Sequence, residues 1–149
     1  ADADMMKTAE TYVKTSCALV DAFIACWNTK YQCNLIRPES YINQYIDSEW
    51  LPLIQTPPFP EHTSGHSTIS AAAATVLTNL YGDNFAFSDS TEVEFNIPAR
   101  SFHSFYEASD QVGVSRLYGG IHYRRGNEAG LKCGRMIGQY VSDAIRPKK

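Results

Sequence analysis

The stretch FPEHTSGHST, residues 59–68, joins a proline-rich segment to what reads as the start of a helix. Ser64-Gly65-His66 stands where a helix exposes its unpaired N–H groups and the positive end of its dipole. Gly65 lets a ligand approach the backbone, Ser64 offers a hydroxyl, and His66 can exchange a proton near neutral pH. Such groups can cradle an oxyanion, but Ser and Thr before a helix usually serve only as caps. This stretch alone does not distinguish a helix cap from a binding site, so the motifs in the rest of the sequence are needed.

A helical pattern precedes this stretch. Between residues 5 and 27, apolar side chains recur at helical spacing, at Met5, Ala9, Tyr12, Val13, Val20, Phe23, Ile24 and Trp27. Residues 38–63 hold five of the seven prolines. This segment therefore favours a long loop, with a short helix near SYINQYI, residues 40–46.

Two further helices are predicted from the signals at their ends. Residues 65–81 repeat apolar side chains at helical spacing, and Gly82 supplies the stop. Ser104-x-x-Glu107 has the pattern of a capping box and predicts a helix that runs to about Tyr118.

The C-terminal segment predicts a last helix, which Asn127 can cap. Glycines recur there every fourth residue, at positions 130, 134 and 138, and form a smooth stripe that lets another helix approach closely. The alternation in TEVEFNIP, residues 91–98, predicts a short strand or an extended loop. Together these patterns predict one mostly α domain over residues 1–149, a helical bundle with four main helices.

Composition excludes several classes of protein. With 44% hydrophobic and 19% charged residues the chain is globular, and its net charge of −3 gives no general attraction to nucleic acid or anionic membranes. No apolar run approaches the roughly 20 residues of a membrane span, so we expect a soluble chain. The opening ADADMMKT lacks the basic region of a signal peptide, which a mature, exported chain would lack too, so the compartment stays open.

The four cysteines, Cys17, Cys26, Cys33 and Cys133, have no CxxC spacing, which disfavours a zinc site made of them. Cys26 and Cys33 can pair if the chain turns between them, but free thiols are the favoured prediction. Glu61, His62 and His66 also suggest zinc, but the Thr-Ser-Gly between the histidines is a poor helix interior, so this site is disfavoured.

Two basic clusters favour an oxyanion site over a plain helix cap. KYQCNLIRP begins with Lys30 and holds Arg37, and SRLYGGIH holds Arg116 and ends with His122. Arginines bind oxyanions through forked donors, and lysine acts as a point charge. His122 would then be a nucleophile or the ligand of a metal oxyanion, with His66 as acid or base. The alternative is a solvated basic face, for which no particular spacing is expected.

The spacing of three motifs resembles the signature of the type 2 phosphatidic acid phosphatase and vanadium haloperoxidase superfamily. The motifs are Lys30-x6-Arg37-Pro38, Ser64-Gly65-His66 and Ser115-Arg116-x5-His122. The likeness is closest to the soluble vanadium chloroperoxidase branch, whose segments resemble VDAFIACWNTKYQCNLIRP, TPPFPEHTSGHST and SRLYGGIHYR. The resemblance covers about residues 19–140 and implies the helical bundle of that superfamily.

The resemblance also implies a role for each site residue. The set that would hold the oxygens of vanadate or phosphate is Lys30, Arg37, Ser64, Gly65 and Arg116. His122 would bond to vanadium or phosphorus, and His66 would be the acid–base partner. Trp27 and Phe59 match positions that line the halide pocket.

The sequence departs from the family pattern in three ways. Thr63 replaces the usual proline before Ser-Gly-His, and Gly126 stands where an aspartate is expected four residues after His122. The group that would orient His122 is therefore expected to be missing; Asn127 and Glu128 are the nearby substitutes, although both favour a capping role. Only about 25 residues precede the first motif, so we expect the chain to be the C-terminal part of a longer protein.

Three functions follow from this interpretation. The first is a vanadate-dependent haloperoxidase that oxidises halide with hydrogen peroxide, which Trp27 and Phe59 favour. The second is a soluble acid phosphatase that hydrolyses phosphomonoesters through a phospho-His122 intermediate. The third is a non-catalytic oxyanion-binding domain, which Gly126 favours. In each case we expect small-molecule ligands and no nucleic acid, and the protein partner would be an N-terminal helical part of the same protein or a second copy.

Overall fold

The computed structural model describes residues 3–146. Its α-helices are α1 Met5–Cys33, α2 Pro38–Tyr45, α3 Gly65–Tyr81, α4 Phe105–Tyr118 and α5 Arg124–Ala144. Two short strands, β1 Phe87–Asp89 and β2 Arg100–Phe102, pair antiparallel between α3 and α4, with Phe87 opposite Phe102. The predicted all-α helical bundle is confirmed, including the short helix in the proline-rich segment. No helix within residues 3–146 is long and apolar enough to cross a membrane.

Helix α3 lies at the centre of the bundle, where it contacts α1, α4 and α5. The core between these helices consists of small and β-branched side chains, Ala18, Ala22, Ala72, Val76 and Val141. The glycine stripe of α5 faces α3: a Cβ atom on Gly134 would overlap the carbonyl oxygen of Thr68, and one on Gly138 would lie 2.5 Å from that of Ala72. The predicted close approach of another helix is confirmed, and α3 is that helix.

Helix α1 extends six residues beyond its predicted end and buries a face of three small side chains flanked by two lysines. The buried positions recur every fourth residue, at Lys14, Ala18, Ala22, Cys26 and Lys30. The large apolar side chains of the predicted stripe are mostly exposed, Tyr12 to 72% and Ile24 to 60%. An apolar stripe usually faces the core, but here close packing on α3 selects the face with small side chains.

Two local predictions are wrong. Helix α5 begins at Arg124, with Tyr123 in the cap position, so Asn127 lies inside the helix. It is buried there and accepts a hydrogen bond from Ser67 Oγ at 3.3 Å instead of capping. The stretch TEVEFNIP forms no strand: Val93–Phe95 is a 3-10 turn, and the strands lie on either side of it. Its alternating apolar side chains are exposed, so no packed face stabilises an extended conformation.

The capping box before α4 is confirmed in a shifted form. Ser104 Oγ accepts from the Glu107 N–H at 3.0 Å, and the Glu107 carboxylate accepts from the His103 N–H at 2.6 Å. The four cysteines are free. Cys26 and Cys33 lie seven residues apart on α1, about 10 Å along the axis, which is too far for a disulfide.

Candidate active site

The predicted site residues gather around the N-terminal end of α3. Lys30 lies in the last turn of α1, Arg37 precedes α2, and Ser64 caps α3. Arg116 lies in the last turn of α4, and His122 lies between α4 and α5. The segment 59–64, which carries Phe59 and leads into α3, runs between these elements.

His122 is buried, with only 5% of its surface exposed. Its Nδ1 lies 2.6 Å from Oε1 of Glu61, a fully buried carboxylate that also accepts from the Tyr123 N–H at 3.2 Å. Since a carboxylate only accepts, Nδ1 carries the proton, and the Nε2 lone pair faces Arg37 Nη1 at 3.1 Å. Burial is the main cause that lowers the pKa of His122, which keeps the ring neutral.

The contact between Glu61 and His122 corrects an expectation from the sequence. We expected no group to orient His122, because position 126 lacks an aspartate. Glu61, whose sequence neighbourhood suggested only a disfavoured zinc site, accepts the Nδ1 proton instead. Asn127 and Glu128 do not substitute, since Asn127 bonds Ser67 and Glu128 is exposed. No local spacing links residue 61 to residue 122; the missing side chain at Gly126 was the available signal.

The two basic residues beside His122 are held by backbone carbonyls. Arg37 donates from Nε to the Phe59 carbonyl and from Nη1 to the Ile121 carbonyl, each at 2.8 Å, while its buried Nη2 has no partner within residues 3–146. Lys30 is fully buried, and its Nζ donates to the carbonyls of Pro60 at 2.8 Å and Glu61 at 3.0 Å. Burial lowers the pKa of Lys30 to about 8. We call Lys30, Arg37, Glu61 and His122 the His122 side of the site.

A second group surrounds the first turn of α3. His66 Nε2 lies 3.2 Å from Arg116 Nη1, and the buried Nε of Arg116 has no partner among the described residues. His66 reaches solvent, but the protein around it and the charge of Arg116 lower its pKa. Ser64 is buried and caps α3, accepting from Ser67 N–H at 3.4 Å and from the Ser67 hydroxyl at 3.0 Å. We call Ser64, Gly65, His66 and Arg116 the His66 side.

Two aromatic rings connect the two sides. The rings of Trp27 and Phe59 lie 5.2 Å apart, and Lys30 Nζ lies 5.8 Å and 5.3 Å from their centroids. The Arg37 guanidinium lies 5.1 Å from the Phe59 ring. On the other side, a Cβ atom on Gly65 would lie 3.3 Å from the Trp27 indole, so this glycine packs directly on the ring. The structure thus brings the nine predicted site residues into one continuous set of contacts.

The arrangement suits a multiply charged oxyanion. Arg37 Nη2 and Arg116 Nε are buried N–H donors without acceptors in the described residues. Leaving such donors unpaired costs free energy, and an oxyanion would supply the acceptors. The Nε2 of His122 lies beside one of these guanidinium groups, which places a neutral nitrogen lone pair next to positive charge.

The chain is similar in sequence and fold to known helical-bundle proteins. The chain matches the family described as the VCPO second helical-bundle domain over residues 10–147. It is 54% identical to a bacterial vanadium-dependent iodoperoxidase of known structure, with a TM-score of 0.94 over 97% of this chain and 35% of that chain. Holo-type and apo-type structures of a bacterial vanadium-dependent chloroperoxidase are 19% and 18% identical, each with a TM-score of 0.69 over 85% of this chain, and show the fold alone.

The chain spans about a third of the length of these solved structures, 35% of the iodoperoxidase and 34% and 35% of the chloroperoxidase structures. No curated protein matches the chain significantly.

Proposed function

Because the chain belongs to the family of the VCPO second helical-bundle domain, within the vanadium haloperoxidase superfamily, we propose that it is the vanadate-binding domain of a vanadium-dependent haloperoxidase. Its substrates would be a halide and hydrogen peroxide. The similar protein of known structure that shares 54% of its residues is an iodoperoxidase, which makes iodide the first halide to test.

The observation that carries this proposal is the contact of His122 with Arg37. A buried, neutral ring nitrogen lies 3.1 Å from a guanidinium whose buried Nη2 has no acceptor within residues 3–146. Through Nε2, His122 would bond to the vanadium. When bound, vanadate supplies a Lewis-acid centre that activates hydrogen peroxide for attack by halide.

The other residues would hold the oxygens and move protons. Oxygen atoms would be bound by Lys30, Arg37, Arg116, the Ser64 hydroxyl and the Gly65 amide. Ser64 Oγ now accepts from Ser67, so its own proton remains free to be donated to an oxyanion. The two unpaired guanidinium nitrogens fit this role because each lacks an acceptor in the described residues.

His66 would act as the acid–base group. Its pKa is lowered chiefly by partial desolvation from the surrounding protein and also by Arg116, so the ring is neutral near pH 7 and would accept a proton from a reactant. Trp27 and Phe59 would line the halide pocket, where two aromatic rings beside Lys30 offer an apolar wall with positive charge next to it.

Calorimetric titration with orthovanadate tests the shared site. One site per chain is expected, and Arg116→Ala should lose it, with Arg146→Ala, an exposed arginine outside the site, as the matched control. Unchanged affinity in Arg116→Ala would contradict a site shared by both sides. Oxidation of iodide, bromide and chloride by hydrogen peroxide, with and without vanadate, then tests the reaction.

A phosphatase is the second candidate, and the same ring nitrogen favours it. A neutral, buried Nε2 beside a guanidinium is also suited to attack a phosphomonoester, because five-coordinate vanadate resembles the transition state of in-line phosphoryl transfer. Hydrolysis of a generic phosphomonoester without vanadate would support this candidate, and halide oxidation with vanadate would support the first. Binding of orthovanadate without either reaction would assign a non-catalytic oxyanion-binding role.

For the protein partner, we propose a further helical part of the same protein, packed on α1. The outward face of α1 exposes Tyr12, Val13, Val20, Phe23 and Ile24, each by 46% or more. An apolar face of this kind marks a contact surface. The matched family is a second helical bundle, and the solved structures are about three times as long, so a helical part of the same chain is the occupant we favour over a second copy.

Light scattering tests this occupant. This chain alone should be monomeric, and a stable dimer that Ile24→Asp dissolves would make a second copy the occupant. In the longer natural protein, Ile24→Asp should lower the unfolding midpoint, whereas Asn84→Asp, at an exposed position in the loop after α3, serves as the charge-matched control.

A further inference from the structure

The carboxylate of Glu61 lies where a side chain at position 126 would lie. Gly126 is the third residue of α5, and a Cβ atom there would overlap Glu61 Oε1 and lie 2.7 Å from the carboxyl carbon. The two elements are also tied through their backbones, since the Ser64 N–H donates to the Gly126 carbonyl at 3.0 Å. A carboxylate from the loop before α3 and a side chain from α5 therefore compete for one volume.

Glu61 is held in this place by several contacts. Its N–H donates to the Leu35 carbonyl at 2.9 Å, and its own carbonyl accepts from Lys30 Nζ at 3.0 Å. Oε1 accepts from both His122 Nδ1 and the Tyr123 N–H. Oε2 is buried without a partner among the described residues, an arrangement that costs free energy and calls for a reason.

We infer that Glu61 is a positioning residue that fixes the ring and the tautomer of His122, and that Gly126 provides the volume this carboxylate needs. The inference rests on the proposed function. A ring nitrogen that binds a metal or attacks phosphorus must present a lone pair in a fixed direction, and a hydrogen bond at the opposite nitrogen sets both the tautomer and the ring plane. Glu61 does this from the loop before α3, so α5 needs no acidic side chain at position 126.

The tautomer of His122 tests the inference without any bound ligand. Long-range 15N NMR of the parent chain should show the proton on Nδ1 of His122. Glu61→Ala should give a mixed or Nε2-protonated ring, whereas Glu61→Gln should keep the parent tautomer, because its amide oxygen can accept from Nδ1 and from the Tyr123 N–H. Glu128→Ala, an exposed glutamate on α5, is the matched control and should change nothing.

The competition for volume gives a second, independent test. Gly126→Asp alone should lower the unfolding midpoint, because the new side chain overlaps Glu61. The double variant Glu61→Ala, Gly126→Asp should be more stable than Gly126→Asp and should regain the Nδ1-protonated ring, since the carboxylate then comes from α5. Orthovanadate affinity should fall about 10- to 100-fold in Glu61→Ala and recover in the double variant.

The outcomes separate the inference from the proposed function. A folded Glu61→Ala chain with the parent tautomer would overturn the inference, whatever its affinity for orthovanadate. If Glu61→Ala does not fold, a double variant no more stable than Gly126→Asp would overturn it. A parent chain that binds no orthovanadate would overturn the proposed function, while the tautomer and the volume test still decide the role of Glu61.

Discussion

His122 and His66 each contact an arginine through Nε2, but only one of them is enclosed by the protein. His122 is buried, and its second nitrogen is held by Glu61. His66 is exposed, and Arg116 is the side-chain partner that its ring contacts. The His122 ring is therefore held at both nitrogens by residues within 3–146, whereas the His66 ring faces solvent.

The difference separates a group that must stay fixed from one that must exchange protons. A ring that binds a central atom gains from burial and from a fixed tautomer, because both keep its lone pair in place. An acid–base group gains from access to water and reactants. Variants of the two histidines should therefore differ in whether they lose orthovanadate binding or turnover.

The largest effect is expected for His122→Ala. Removal of Nε2 removes the proposed bond to the central atom, so orthovanadate binding and both candidate activities should be lost completely. Titration calorimetry and the iodide assay measure this, with His103→Ala, an exposed histidine outside the site, as the matched control. Parent-level affinity in a folded His122→Ala chain would break the division of roles.

A smaller effect is expected for His66→Ala. Orthovanadate should still bind, because the holding residues remain, while turnover should fall about 10²- to 10⁴-fold through loss of acid–base catalysis. Separate measurements of kcat and of orthovanadate affinity distinguish the two effects. Loss of binding in His66→Ala together with retained binding in His122→Ala would reverse the assignment.

The elements of the site that the sequence predicts correctly are those set by local signals. Helix α3 begins and ends at the predicted residues because Ser64 caps it and Gly82, with a φ of +98°, ends it. The contact of Glu61 with His122 joins residues 61 positions apart, and no local pattern encodes it. The buried place of Asn127 is likewise set by α3, so a residue that fits a cap by type was misassigned.

Local sequence patterns also did not predict which face of α1 is buried. Apolar content points to the stripe that includes Ile24, yet the buried face carries Ala18 and Ala22. Ala18 and Ala22 pack with Ala72 and Val76 of α3 and with Val141 of α5, where small side chains let the helices lie close together. Which face is buried therefore depends on the partner helix rather than on the hydrophobicity of α1 alone.

The buried position of Lys30 on the His122 side predicts a pH dependence of stability. Its pKa is about 8 in the folded chain, against an ordinary value of 10.5 that applies to the unfolded chain. Between these two pH values the unfolded chain therefore binds more protons than the folded chain. Burial of the charged amine therefore costs stability in full below pH 8, and this cost of about 3 kcal/mol is relieved as pH rises towards 10.5.

Urea unfolding of the parent and of Lys30→Met from pH 7 to 10.5 measures this. The free energy of unfolding of the parent should rise relative to that of Lys30→Met over this interval. At pH 7 the free energies of unfolding of the two chains also differ because the carbonyls of Pro60 and Glu61 lose their donor in Lys30→Met. Only the change of this difference with pH therefore reports the pKa of Lys30. Lys132→Met, at an exposed lysine, should run parallel to the parent. Parallel curves for Lys30→Met would mean that Lys30 is not enclosed as the structure has it.

The smallest effect is expected for the pKa of His66 when Arg116 is removed. Partial desolvation by the surrounding protein is the larger cause that lowers this pKa, and the positive charge of Arg116 is the second. Arg116→Ala should therefore raise the pKa of His66 only part of the way to its ordinary value, while Arg116→Lys, which keeps the charge, should leave more of the lowering in place. NMR titration of the His66 ring in the three chains measures the difference.

A fully ordinary pKa in Arg116→Ala would mean that the protein around His66 contributes nothing, and the ring would then be a surface histidine paired with one arginine. A partial shift would show that the protein around His66 itself lowers the pKa of the ring, which favours the neutral, proton-accepting form that an acid–base partner of His122 would use.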